Sequence, residues 1–142
     1  MIAPAPEVLV VEDQFDLLTL LLELFTQAGY RAEGVSTGKE ALARLEQKPP
    51  DLLLTDVVLP DTDGLELTRK LKSAPGTKHI PVVLVSGEPA SRLTPDAVTA
   101  TGADAFLPKP LALPALEQTV AALLSGRRAP GQPPAPGPPG SP

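Results

Sequence analysis

The chain has 142 residues, enough for one domain of ordinary size, and its 12 basic and 17 acidic side chains give a formal net charge of −5 at pH 7. This acidic balance argues against nucleic acids and anionic membranes as partners, since both favour basic surfaces. The lack of cysteine excludes disulfides, thiolate metal sites and a cysteine nucleophile, and a single histidine excludes a three-histidine metal site. Without a signal peptide or a membrane-spanning run, we expect a cytoplasmic protein with an aliphatic core.

Five short, mostly apolar segments alternate with helical patterns along the chain. The predicted strands are residues 7–12, 32–35, 52–55, 80–85 and 103–107. The predicted helices are residues 15–28, a second beginning at the capping box of Thr37 and Glu40, residues 64–72, a short one from Thr94, and residues 114–124. This alternation is typical of a parallel sheet whose strands are joined by crossover helices.

The fold class follows from the crossovers and from the turn after the first strand. Right-handed crossovers predict a doubly wound α/β fold of three layers. The segment Glu12-Asp13-Gln14-Phe15 stands where a dinucleotide-binding fold would carry a Gly-rich turn. We therefore predict the flavodoxin-like strand order 2-1-3-4-5, with a site at the carboxyl ends of the first, third and fourth strands.

Residues 126–142 are rich in proline and glycine and have no apolar periodicity. We predict a domain over residues 1–125 and a disordered or polyproline-like tail after it. The tail is interpreted as passive and solubilising, with a partner-binding motif at its PPAP stretch or a linker to a further domain as alternatives.

Three carboxylates follow two of the predicted strands. Glu12 and Asp13 end the first strand, and Asp56 ends the third. Asp13 alone could be a helix cap, but three like charges at one sheet edge repel unless a cation compensates them. Oxygen ligands from a few carboxylates suit Mg²⁺, which commonly accompanies phosphates. The sequence therefore predicts a magnesium and phosphoryl site at this edge.

Two further strand ends carry polar groups that suit a phosphate. Ser86 and Gly87 follow the fourth strand and offer a hydroxyl and a closely approachable backbone. Lys109 follows the fifth strand between two prolines, and its ammonium is a compact charge suited to phosphate. The Lys109–Pro110 bond is a candidate cis peptide.

The set Glu12-Asp13, Asp56, Ser86 and Lys109-Pro110, with Leu59-Pro60 and Asp63-Gly64, resembles the receiver domain of bacterial two-component response regulators, the chemotaxis-regulator-like family. The resemblance covers about residues 6–125. It implies that Asp56 accepts a phosphoryl group from a sensor histidine kinase or a histidine phosphotransfer protein. It implies a phosphorylation-dependent signalling protein, not an enzyme.

The resemblance also implies a role for each matching residue. Asp13, Asp56 and the main-chain carbonyl of Val58 would bind Mg²⁺ directly, and Glu12 would bind it through water. Lys109 and Ser86 would contact the phosphoryl oxygens, and Phe106 would be the aromatic switch. The partners implied are the phosphodonor and a downstream protein target, with the chain a monomer or a phosphorylation-dependent dimer.

Five residues depart from the commonest pattern of the family, and one of them, Leu59, is a conservative change at a position that is often methionine. Glu12 replaces one aspartate, which leaves metal binding expected, and Phe106 lacks a tyrosine hydroxyl, which puts any output through that hydroxyl in doubt. Val58 and Glu88 occupy positions at which the family tunes its dephosphorylation.

The first helix carries more apolar residues than a crossover helix needs. One predicted stripe faces the sheet and contains Leu17, Leu20, Leu21, Leu24 and Ala28. The second stripe, of Phe15, Leu18, Leu22 and Phe25, is either covered by the fifth helix or docks a partner's helical bundle. The predicted docking residues are Phe15, Leu18, Leu22 and Pro110.

Three other functions fit the sequence less well than a receiver domain does. A phosphorylation-independent scaffold of the same fold is weakened by the presence of every expected residue type. A phosphatase of the haloacid dehalogenase type expects a second carboxylate two residues after the nucleophile, where this chain has Val58. Flavin binding is disfavoured because the sequence has no loop suited to cradle the flavin phosphate.

Overall fold

A computed structural model describes residues 5–87 and 94–128. Five parallel strands form one sheet in the order β2-β1-β3-β4-β5, as predicted. The strands are β1 (Glu7–Val11), β2 (Arg31–Val35), β3 (Leu52–Asp56), β4 (Val82–Ser86) and β5 (Ala105–Pro108). Parallel pairing places every carboxyl end at one edge of the sheet.

Five helices connect the strands. They are α1 (Phe15–Gln27), α2 (Gly38–Gln47), α3 (Gly64–Ser73), α4 (Pro95–Thr101) and α5 (Leu113–Arg128). Thr37, Asp63 and Thr94 are the N-caps of α2, α3 and α4, and each side chain accepts a hydrogen bond from an amide of the first turn. Within the described residues, no helix is long and apolar enough to cross a membrane.

The core lies on both faces of the sheet, because neighbouring residues of a strand point to opposite faces. Leu9 and Val11 of β1 face a cluster with residues of α2 and α3, against which Val98 of α4 also packs. Val8 and Val10 face a second cluster with residues of α1 and α5. All four strand residues are at most 1% exposed. The sheet is therefore the middle of three layers.

The element ends differ from the predicted ones by at most four residues, and several coincide. The largest difference is α5, which continues four residues past Leu124, so Gly126–Arg128, predicted to start the tail, are helical. The remainder of the predicted tail, including PPAP, lies outside the described residues.

The predicted rotation of α1 is wrong in part. Leu21 faces the sheet as predicted, but Phe25, assigned to the second stripe, is fully buried. Leu20 and Ala28, predicted to face the sheet, are exposed. Because the helix is apolar on most sides, its hydrophobic pattern does not determine its rotation, and packing against β2 and α5 does.

Candidate functional site

Three carboxylates meet where β1 and β3 end. One oxygen from each of Glu12, Asp13 and Asp56 lies within 4.8 Å of the others. The two strands are neighbours, with Val11 opposite Thr55, so the residues that follow them come together. Glu12 is 3% exposed and Asp56 is 7% exposed, whereas Asp13 is exposed. The predicted acidic cluster is confirmed as a partly buried site with one side open to solvent.

Lys109 brings a positive charge to two of these carboxylates. Its Nζ lies 2.7 Å from Oδ2 of Asp56 and 3.1 Å from Oε1 of Glu12. The residue follows β5, and its main-chain amide donates to the carbonyl of Ser86 at 2.9 Å. The Lys109–Pro110 peptide bond is cis, as predicted. Lys109 therefore reaches back across the end of β4 to the centre of the site.

The ionisable groups of the site lie close enough to affect one another's pKa. Burial raises the pKa of Glu12, and the nearby charge of Asp56 raises it further. Hydrogen bonds from Gln14 and Lys109 lower this pKa, but the net shift is upward. Burial alone would lower the pKa of Lys109, but its hydrogen bonds to Asp56 and Glu12 outweigh burial and raise that pKa. Lys109 is therefore a cation at neutral pH and is the positive charge that faces this group of carboxyl side chains.

Asp13 does not cap α1. The N-cap is Gln14, and no side-chain hydrogen bond caps this helix among the described residues. Glu12 instead accepts a hydrogen bond from the Gln14 amide through Oε2, at 3.0 Å. The alternative interpretation of Asp13 as a helix cap is therefore wrong.

The loop between β3 and α3 wraps around the Asp56 carboxylate. Oδ1 of Asp56 accepts a hydrogen bond from the Val58 amide at 3.1 Å. The Gly64 amide donates to the Val57 carbonyl at 2.6 Å, and an added Cβ at Gly64 would lie 2.4 Å from the Asp56 carbonyl oxygen. The start of α3 thus packs directly on the backbone of Asp56, and only glycine fits there.

Ser86 and Phe106 lie beside the site. Ser86 is 2% exposed at the end of β4, one residue after Val85, which is opposite Asp56 in the sheet. Phe106 of β5 is half-buried and packs against the cluster on the α2, α3 and α4 face. Glu88 lies outside the described residues.

The predicted docking residues do not form one open surface. Phe15 is 78% exposed and Pro110 is exposed. Leu18 and Leu22 are half-buried against the core cluster of α1 and α5, and Leu18 lies so close to β2 that a Cβ at Gly34 would be 2.7 Å from its Cδ1. Leu18 and Leu22 are therefore less accessible than an open docking stripe would be, and the docking role of the four residues stays a prediction.

Asp61, in the loop between β3 and α3, was missed by the sequence reasoning. Its two carboxylate oxygens accept hydrogen bonds from the amides of Gly38 and Lys39, at 2.8 and 2.9 Å. These donors are 22 and 23 positions away, at the start of α2. The only local sequence signal is an aspartate in a predicted turn, and it does not indicate which distant amides the side chain contacts.

Comparison with known proteins agrees with this geometry. The family model of the response regulator receiver domain matches residues 8–121. The phosphate regulon transcriptional regulatory protein PhoB of Rhizobium meliloti is 37% identical over 84% of this chain and 52% of its own length, so the chain spans about half of that relative. The polar-differentiation response regulator DivK of Brucella ovis is 32% identical over 82% of this chain and 94% of its own.

A solved structure shows the same likeness. The signal receiver domain of a signal transduction histidine kinase from Syntrophus aciditrophicus superposes with a TM-score of 0.79 at 36% identity, over 92% of this chain and 99% of that one. The family match covers the sheet except for Glu7, the first residue of β1, and reaches into α5. The chain belongs to the response regulator receiver domain family of two-component signal transduction.

Proposed function

We propose that this receiver domain accepts a phosphoryl group on Asp56 from a sensor histidine kinase or a histidine phosphotransfer protein, with Mg²⁺ as cofactor. The observation that supports this most is the grouping of Glu12, Asp13 and Asp56 within 4.8 Å, with Lys109 on two of them. A carboxylate nucleophile beside a cation and an acidic pair suits phosphoryl transfer, which depends on positioning and charge neutralisation.

The donor set fits Mg²⁺. All three side chains offer carboxylate oxygens, and the exposure of Asp13 leaves space for the water that Mg²⁺ retains. In the proposed arrangement Asp13, Asp56 and the Val58 carbonyl would hold the ion, and Glu12 would contact it through water. Bound there, Mg²⁺ would neutralise charge on the transferred phosphoryl group.

The chemistry at Asp56 is a direct transfer. Its carboxylate oxygen attacks phosphorus, the bond from phosphorus to the donor imidazole nitrogen breaks, and the histidine leaves. Lys109 is close enough to move from the carboxylate to the phosphoryl oxygens, since it already lies 2.7 Å from Oδ2. Ser86, at the end of the neighbouring strand, supplies a hydroxyl on the other side.

The output is a change of surface, not a chemical product. Aspartyl phosphate adds about −1.5 to −2 of charge next to the half-buried Lys109 and the buried Ser86. Movement of Ser86 and Lys109 toward the phosphoryl group would repack Phe106, which is only half-buried against the core cluster of α2 and α3. The altered surface then binds a downstream protein target.

Intact-mass measurement with acetyl phosphate tests the proposal. We expect a gain of one phosphoryl mass with Mg²⁺, no gain with a chelator, and no gain for Asp56→Ala under either condition. Glu46→Gln is the matched control, because it removes an exposed carboxylate of α2 far from the site. Phosphorylation of Asp56→Ala would refute Asp56 as the acceptor.

A negative result also has a defined meaning. If the wild type gains no mass, and beryllofluoride leaves its amide spectrum unchanged, the phosphorylation-independent scaffold becomes the better interpretation.

A further inference from the structure

The loop between β3 and α3 is attached to α2 by a side chain outside the acidic cluster. Asp61 accepts hydrogen bonds from the Gly38 amide through Oδ1 and from the Lys39 amide through Oδ2. The first amides of a helix have no partner within the helix. The N-cap Thr37 satisfies only the Glu40 amide, so Asp61 provides the acceptors for the two amides before it.

A steric contact at the same place supports the attachment independently. A Cβ added to Gly38 would lie 2.3 Å from Cγ2 of Thr62. The methyl group of Thr62 therefore occupies the space beside Gly38 that any larger residue would need. Asp61 therefore holds the tip of the loop against α2 by hydrogen bonds, and its neighbour Thr62 does so by packing.

The tip is connected rigidly to the residues that surround Asp56. The Leu59 amide donates to the Thr62 carbonyl at 3.2 Å, and Val58 forms an antiparallel bridge with Asp63. The loop is thus a tight turn, with Asp61 at its tip and Val58 at its base. The orientation of the turn determines where the Val58 main chain lies relative to the Asp56 carboxylate.

Core packing alone anchors the turn weakly. Leu59 is 7% exposed and belongs to the core cluster, but Val58 is 49% exposed, and Pro60 and Asp61 are exposed. The amides of Gly38 and Lys39 lower the pKa of Asp61, so the carboxylate that holds the turn is ionised at neutral pH. A charged carboxylate at a helix N-terminus is also favoured by the helix dipole.

We propose that Asp61 is a positioning residue for the Mg²⁺ site, which holds the Val58 carbonyl in place by fixing the turn to α2. This inference rests on the proposed function, in which that carbonyl is a metal ligand. Without Asp61 the turn is free to tilt, and the ion loses a preorganised ligand although all its carboxylate ligands remain.

The test is the Mg²⁺ dissociation constant of the full chain, measured by amide chemical-shift titration. Asp61→Ala is expected to raise it about tenfold, the lower end of the cost of losing an outer partner of a metal ligand. Asp61→Asn keeps one oxygen acceptor and should lie between the wild type and Asp61→Ala. In metal-free protein, hydrogen exchange of the Gly38 and Lys39 amides should accelerate at both positions in Asp61→Ala and at one of the two in Asp61→Asn.

Glu40→Ala is the matched control. Glu40 is also an exposed carboxylate at the start of α2 and also accepts from a backbone amide, that of Ser36 at 3.0 Å, but it does not touch the loop. Glu40→Ala removes the same charge as Asp61→Ala. Because exposed charges are well screened by salt, the Mg²⁺ dissociation constant of Glu40→Ala should stay within about twofold of the wild-type value.

A phosphorylation assay separates positioning from a general loss of stability. In Asp61→Ala, the rate with acetyl phosphate should need more Mg²⁺ to reach half its maximum, while the rate at saturating Mg²⁺ stays near that of the wild type. A merely destabilised protein would show a lower melting temperature with unchanged half-saturation, and that result would overturn the proposal.

The remaining outcomes are distinguishable. Equal Mg²⁺ affinity in Asp61→Ala and the wild type refutes the positioning role alone. If Mg²⁺ affinity falls equally in Asp61→Ala and Glu40→Ala, the effect is due to the lost charge, and the positioning role is also refuted. A wild type that binds no Mg²⁺ refutes the proposed function, and the positioning role with it.

Discussion

Replacing Gly64 with alanine places a methyl group against the backbone of Asp56. The added Cβ would lie 2.4 Å from the Asp56 carbonyl oxygen, 3.0 Å from Cα of Val57 and 3.1 Å from the Asp56 carbonyl carbon. Favourable contacts between such atoms occur at about 3.5–4.0 Å, so β3 and the start of α3 must separate by about 1 Å.

The expected loss of stability is about 2 kcal/mol. An extra methyl group in a well-packed site costs about 1–3 kcal/mol, and here the upper end applies because every clashing atom is backbone. Against this, alanine is favoured over glycine in a helix by about 1 kcal/mol. The strain falls on the backbone of Asp56, so we also expect slower phosphorylation.

Urea unfolding measures this loss. With a slope of about 2 kcal/mol per molar, the midpoint should fall by about 1 M without a change of slope. Gly76→Ala is the matched control, because within the described part of the chain nothing lies within 4 Å of its added Cβ and its φ is not positive. The control should stay within about 0.5 kcal/mol of the wild type.

The reasoning is refuted if Gly64→Ala is as stable as Gly76→Ala. It is also refuted if Gly64→Ala loses stability but is phosphorylated at the rate of the wild type, since the strain would then not reach Asp56.

Two other substitutions test the charges of the protein. Lys109→Ala leaves two buried carboxylates without their cation and should destabilise the metal-free protein by about 2 kcal/mol at pH 7. In urea titrations, added Mg²⁺ should reduce this loss of stability. The variant should keep its Mg²⁺ affinity but lose the conformational response to beryllofluoride. Loss of Mg²⁺ binding with an intact response would reverse these roles. A hydrogen bond from Lys48, at 2.7 Å, is the main cause that lowers the pKa of Glu7 below 4.5. Its contribution is therefore fully present above pH 4.5 and is lost as the pH falls through the lower folded-state value. The stability difference between the wild type and Glu7→Gln should shrink below pH 4.5, and a difference that grows on acidification would contradict the assignment.

The local parts of the structure could be predicted from the sequence. Thr37, Asp63 and Thr94 begin helices because a cap needs only its own side chain and the next three amides. All five predicted helices begin within one residue of their observed first residue, although α1 begins without a side-chain cap. The rotation of α1 was not predictable, because apolar residues on most sides give its pattern no single direction, and Phe25 is buried only through contacts with other elements.

The sequence by itself determined the strand order and which residue types stand at the strand ends. This follows because parallel strands bring all their carboxyl ends to one edge, so that Glu12, Asp13, Asp56, Ser86 and Lys109 share that edge in any fold of this order. The tertiary structure alone decided the distances there, such as the 2.7 Å between Lys109 and Asp56, and the attachment of Asp61 to α2. These contacts join residues 22 to 97 positions apart, and their geometry depends on how whole elements pack, which no local pattern of residues encodes.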